Sequence, residues 1–208
     1  MSKREHNIPP LLPSGYRQLE YLESTGTQYI DTGISFSNND DSMIIDLKFS
    51  YTEYQRVASI LGAQHNNPNL CITPFIWLNG NRQVYVLCGG SDRLYYISST
   101  SYTSWGTVND FHFSMDNGTY DSYFNTITSS GSYVKNFPLG YNIYLFRSNH
   151  PDGQYCKAKV WSFSLTYNST LVRNFTPALR VADSKPGLYD LANNQFYTNA
   201  GSGEFLYA

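Results

Sequence analysis

Asp110, His112, Ser114 and Asp116 alternate with Phe111, Phe113 and Met115. That spacing puts an acid, a base and an orienting group on one face of a single β-strand. The same alternation is what a half-buried outer strand requires, apolar side to the core and polar side to water, and it needs no catalysis to account for it. Glycoside hydrolysis would need two carboxylates across one cleft, about 5–5.5 Å apart for retention. No Glu-x-Asp-x-x-Glu run is present, and Glu20 and Glu23, three positions apart, fall on opposite strand faces. A Gly-x-Ser-x-Gly elbow and a glycine-rich phosphate loop are also missing from the sequence. The expectation is a non-enzymatic protein with no catalytic residues.

Binding chemistry has more to draw on. Tyr51, Tyr54, Tyr95, Tyr96, Tyr102 and Trp105 fall in or beside expected loops, and flat rings with a polar tip suit both sugar faces and protein contacts. They form the candidate ligand-binding surface, with core filling as the competing role. Asn38, Asn39, Asp40, Asp41, Asn149 and Asp152 supply the hard oxygen ligands that Ca²⁺ prefers. Asn and Asp are equally ordinary turn residues, so no cofactor is expected and calcium stays an open alternative. Cys71, Cys88 and Cys156 are too few and too far apart for a tetrahedral metal site and read as free thiols; a Cys71–Cys88 disulfide would require the two to oppose each other on neighbouring strands. Asn117, Asn168 and Asn174 each begin an Asn-x-Ser/Thr triplet, which an Asn-rich chain produces by chance.

Composition narrows the partners. The 208 residues include 19 Tyr and 12 Phe, and charged residues make up only 14%, which favours strands over helices. The net charge is −2 with no block of Lys or Arg, so the phosphate-neutralising surface that nucleic acid needs is missing. Neither a signal-peptide core nor a bilayer-length apolar run occurs, which predicts synthesis in the cytoplasm and no membrane partner.

The elements that must position these groups are short strands. Met43, Ile45, Leu47 and Phe49 alternate with Ser42, Asp46, Lys48 and Ser50, and further strands are expected near 18–23, 28–31, 57–61, 70–78, 83–87, 94–98, 111–115, 120–124, 127–134 and 141–146. Asn79-Gly80 and Asn117-Gly118 suit type I′ turns and predict two antiparallel hairpins. Residues 157–175, KAKVWSFSLTYNSTLVRNF, read as a third, turning at Tyr167-Asn168-Ser169-Thr170. Its inward parity switches between Val160 and Trp161, which predicts a β-bulge there, with Trp161, Phe163, Leu165, Leu171 and Phe175 facing a second sheet. Residues 1–13 are charged and then proline-rich, an extended arm in which Ile8, Leu11 and Leu12 are the candidate docking contacts. The pattern predicts an all-β, two-sheet antiparallel sandwich over 14–208 preceded by that arm.

Two blocks carry a family resemblance. LEYLESTGTQYIDTG at 19–33 is the first; the second runs from Leu145-Phe146 through KVWSF at 159–163, LVRNFTPA at 171–178 and GLYD at 187–190 to FYTNAGSG at 196–203. Together they resemble the laminin-G-like, concanavalin A-like jelly-roll modules of bacteriophage structural proteins and gut-bacterial surface proteins. The resemblance implies two curved sheets with the terminal strands close together, and no single activity. It points to a virion-surface structural or adhesion module, a fibre or decoration protein, with other virion proteins on the arm, host-surface glycans and a second copy of the chain as partners. A free carbohydrate-binding lectin domain is the alternative, and a glycoside hydrolase the least supported reading.

Overall fold

A computed structural model of the chain describes residues 12–53, 55, 58–64, 71–75, 85–88, 94–96, 105–133, 140–149 and 154–208, with the backbone alone at 64, 71–75, 85–88 and 94–96. Strands are numbered in chain order. The larger sheet runs β11 (Ile127–Ser132), β10 (Thr119–Phe124), β9 (Asn109–Asp116), β4 (Met43–Tyr51), β13 (Lys157–Tyr167), β14 (Thr170–Arg180), β15 (Lys185–Asp190), β16 (Gln195–Tyr197). β1 (Tyr16–Gln18) joins β14, β2 (Leu22–Thr25) joins β13, and β17 (Leu206–Tyr207) joins β2. The smaller sheet runs β3 (Ile30–Ser35), β12 (Asn142–Leu145), β5 (Leu61–Gln64), β6 (Cys71–Phe75), β7 (Tyr85–Cys88), β8 (Leu94–Tyr96). The fold is an all-β antiparallel sandwich of jelly-roll type, with no helix among the described residues. The terminal strands do meet: Leu206 stands opposite Glu23.

The core follows from period-two patterning on both sheets. Met43, Ile45, Leu47 and Phe49 of β4, Phe111, Phe113 and Met115 of β9, and Val160, Phe163 and Leu165 of β13 face Ile30, Leu61, Ala63, Ile143 and Leu145 of the smaller sheet in one cluster. Asn117 and Gly118 both take positive φ (44° and 83°), the type I′ pair that closes β9 onto β10. β6 and β7 are antiparallel neighbours, while Asn79-Gly80 between them lies outside the described residues. Their register puts Cys88 opposite Ile72, not Cys71. Cys156 is a buried free thiol, and burial pushes its pKa well up.

The 157–175 segment is a hairpin, turning through Asn168 and Ser169 at positive φ. Its bulge falls where the parity switch predicts. Val160 opposes Phe49 and Ser162 opposes Lys48, which leaves Trp161 as the extra residue. Two details differ from expectation. Trp161 is half-buried against Tyr21, ring centroids 5.6 Å apart, and does not join the core cluster. Leu171 is 48% exposed, because a second bulge at Val172 pairs Leu165 with Arg173 and Thr166 with Leu171.

Arg173, opposite Leu165, keeps the inward parity of Phe175. Its Nε donates to Thr32 O on β3 of the other sheet at 2.7 Å and lies 3.8 Å from Asp190 Oδ2. Asp190, fully buried, also accepts the backbone N–H groups of Asn174 and Ala192 and the amide of Asn193. A second polar knot holds the entry to β4: Asp41 accepts from Ser37 N, Asn38 N, the Tyr167 hydroxyl and Asn168 Nδ2. Burial would raise the Asp41 carboxyl, but the hydrogen bonds from Asn168, Tyr167, Asn38 and Ser37 outweigh it and hold its pKa below the ordinary 3.8.

Two outcomes follow for stability. Asp190→Ala strips Arg173 of its counter-charge and takes the acceptor from the Asn174 and Ala192 N–H groups, while the Asn193 amide keeps Val172 O, so it is expected to cost about 3–5 kcal/mol, read as a lower urea midpoint at unchanged slope. The Asp41 carboxyl, depressed on folding, contributes stability that is complete above its unfolded value of 3.8 and lost as pH falls through its lower folded value. Melting curves from pH 7 down to pH 2.5 should therefore fall less steeply below pH 4 in Asp41→Asn, from a lower starting Tm.

Candidate functional site

The outward-facing residues of the larger sheet form cross-strand rows. Thr128, Tyr123, His112, Asp46, Ser164 and Asn174 stand opposite one another in succession on β11, β10, β9, β4, β13 and β14. Beside this row lies a shorter one, Asp110, Lys48 and Ser162. On the other flank lie Ser130, Asp121, Ser114, Ile44, Thr166 and Leu171. Each side chain points out because its strand neighbours, such as Phe111 and Phe113 or Leu47 and Ile45, are buried on the opposite face.

Two depressions follow the long row. One, of about 380 Å³, is lined by Asp46, Lys48, Asp110, His112, Tyr123, Ser162, Ser164 and Asn174. The other, of about 390 Å³, is lined by His112, Asp121, Tyr123, Thr128, Ser129 and Ser130. They share His112 and Tyr123. Tyr123 is 41% exposed, a large ring standing among polar side chains. His112 Nδ1 is 2.7 Å from Asp46 Oδ1, and Ser164 Oγ donates to Asp46 Oδ2 at 3.3 Å. Asp46 thus sits between the serine and the histidine. In a nucleophilic triad the imidazole must sit between serine and carboxylate to take the hydroxyl proton; here both groups are instead fixed in place by one carboxylate. That arrangement suits recognition of a polar ligand. Asp110 and Asp116, the other polar positions of β9 with Ser114, are exposed on the same face.

The aromatic positions expected to form a surface fare differently. Tyr51 is a correction: it is the last residue of β4, on the inward parity of Phe49, and is fully buried with its ring 5.4 Å from that of Phe49. Trp105 is half-buried and packs against the core. Tyr95 and Tyr96 lie on β8 at the edge of the smaller sheet, described by backbone alone. Tyr54 and Tyr102 lie outside the described residues, as do Ile8 and Leu11 of the arm, while Leu12 is half-buried. Of the calcium candidates, Asp152 lies outside the described residues, and the lone pairs of Asp41 are taken up by the hydrogen bonds of its turn. Among the described residues no group of three His, Cys, Asp or Glu converges as a metal would require.

Two half-buried aromatic clusters lie elsewhere. Arg147 is held between the rings of Tyr155 and Tyr29, 4.4 and 4.9 Å from their centroids, and donates to Tyr155 Oη and Ser148 O. Burial, and then the charge of Asp31, raises the neighbouring Tyr144 phenol. At the Trp161 bulge, Lys159 Nζ lies 4.0 Å from the centre of the Tyr21 ring and 3.6 Å from Glu23. Burial would lower the Lys159 pKa, but Tyr21 and Glu23 together raise it. Both clusters are cations enclosed by their own neighbours, a packing role.

No family model matches the chain, and no curated protein matches it. Among solved structures it is similar to a candidate carbohydrate-binding protein from Bacteroides ovatus, with 12% identity and a TM-score of 0.61. The likeness covers 92% of this chain and 60% of that one, so the chain spans less than two thirds of that protein's length. More distant likenesses are to tailspike protein 2 of bacteriophage CBA120 (13% identity, TM-score 0.49, 76% of this chain and 30% of that one) and to the carbohydrate-binding module CBM66 of Bacillus subtilis (9% identity, TM-score 0.39, 74% and 98%). At these identities what is shared is the fold: a β-sandwich of jelly-roll type.

Proposed function

We propose that this chain is a non-enzymatic carbohydrate-binding module whose ligand lies on the outer face of the larger sheet. The observation that carries the reading is the row through Tyr123, His112, Asp46, Ser164 and Asn174, which sets an exposed ring among fixed donors and acceptors along two joined depressions. Sugars present one apolar ring face and a rim of hydroxyls that both donate and accept, and this row offers a counterpart to each. The description of the Bacteroides ovatus protein as carbohydrate-binding supports the same reading.

The resemblance of 19–33 and 145–203 to phage and gut-bacterial modules suggests the setting: a virion-surface adhesion module, with residues 1–13 as its attachment arm and 14–208 as the module. In that setting, deleting 1–13 leaves the module folded and abolishes its incorporation into particles; normal incorporation counts against the setting and leaves the binding reading intact.

The binding reading is tested on a glycan array followed by calorimetry on the hits. Tyr123→Ala is expected to weaken binding roughly tenfold, about 1–2 kcal/mol, as truncation of an exposed anchor does, with Tm unchanged because the ring is outside the core. An array without a single hit, with and without calcium, overturns the proposal.

A further inference from the structure

We infer that the ligand is the interior of a linear glycan without acidic groups, laid across the strands from β14 toward β11. The inference rests on the carbohydrate reading above and adds the ligand's shape and charge.

Shape comes from the topology. The row from Asn174 to Thr128 crosses six adjacent strands, five spacings of about 4.8 Å or about 24 Å in all, and a hexose unit advances a chain by about one such spacing. Roughly four or five sugar units fit the row. Among the described residues β11 is the edge of the larger sheet, so the second depression lies over the rim strand of that sheet. Tyr123 stands where the two depressions join, one strand in from β11 and four spacings from Asn174, so a chain along the row continues past the ring on both sides.

Charge comes from the side chains that flank the row. Among the described residues, Asp46, Asp110, Asp116 and Asp121 face out from β4, β9 and β10, against Lys48 and the imidazole of His112. A uronic acid, sulfate or phosphate on the chain would meet carboxylates on both sides of Tyr123, a repulsion felt over about 10 Å at 0.1 M salt. A neutral chain meets acceptors that its hydroxyls can satisfy.

The test uses the full chain and affinity electrophoresis against neutral polymers (hydroxyethyl cellulose, xylan, galactan, mannan) and acidic ones (alginate, polygalacturonate, carboxymethyl cellulose), followed by calorimetry on an oligosaccharide series cut from whichever neutral polymer binds. Expected are retardation by at least one neutral polymer, at least tenfold weaker retardation by every acidic one at low salt, and affinity that rises tenfold or more from disaccharide to tetrasaccharide. Asp110→Asn with Asp121→Asn should narrow the gap between a neutral polymer and its carboxymethylated form by threefold or more, and added salt should do the same. Preference for an acidic polymer, or a monosaccharide bound as well as a tetrasaccharide, overturns the inference while the carbohydrate reading stands. Retardation by no polymer of either charge, with no hit on the glycan array, overturns both.

Discussion

The register of β13 against β4 is the constraint from which the rest follows. β13 lies mid-sheet, with β4 along one side and β2 and β14 in succession along the other. With Trp161 as the extra residue, Val160 before the bulge and Phe163 and Leu165 after it all point into the core, while Ser162 and Ser164 point out. An unbulged strand would reverse everything beyond Val160, exposing Phe163 and Leu165 and burying two hydroxyls. Each of those apolar side chains is worth about 1.5–3 kcal/mol when buried, and each unpaired buried hydroxyl costs about 1–3 kcal/mol. One unpaired residue in the ladder is a small loss beside that sum, so the bulge is the stable solution. It also forms the site: Ser162 and Ser164 are part of the lining of the first depression only because the register slips where it does.

Polar ties then join the layers. Arg173 reaches Thr32 across the sandwich with Asp190 behind it, and Asp41 gathers Ser37, Asn38, Tyr167 and Asn168 at the start of β4. At the other end, Gly201 lies so close to Thr27 that an added Cβ would come within 2.2 Å of the Thr27 carbonyl oxygen, and Ser202 N–H donates to that oxygen. A buried ion pair gains little over an apolar pair of the same shape, but breaking it is costly. These contacts therefore say less about how stable the sandwich is than about which single packing of the two sheets it adopts.

The strand rhythm, the Asn117-Gly118 hairpin and the bulge before Trp161 were legible because each is a local pattern: alternation, a turn pair, a parity switch. Tyr51 was misplaced because β4 runs two residues beyond its clean alternation, through Ser50 to Tyr51, both buried. Leu171 was misplaced because the bulge at Val172 falls where a β-branched residue looks like any other strand position. The site itself could not be read from sequence. Asp110 and His112 were visible as one strand's solvated face, but Asp46, Tyr123, Ser164 and Asn174 join them only through the strand order β10-β9-β4-β13-β14. That order belongs to the long crossovers of the jelly roll, which leave no short-range signal.

A site on the face of a sheet rather than on its loops has a thermodynamic consequence. Side chains on a paired strand already have their backbone fixed, and His112 is further restrained by Asp46, so little ordering entropy remains to be lost on binding. If sugars bind there as proposed, each hydroxyl would exchange a water for a protein partner and net only about 0.5–1.5 kcal/mol, so a single unit held this way would bind weakly. On the proposed reading, affinity on such a surface would come from repetition: several units, each meeting a pre-set partner, with one ring contact at Tyr123 to exclude water beside the β11 edge. A long, shallow, rigid row is the form a sheet imposes on a binding site, and the extended polymer inferred above is a ligand whose chemistry would repeat at the same interval.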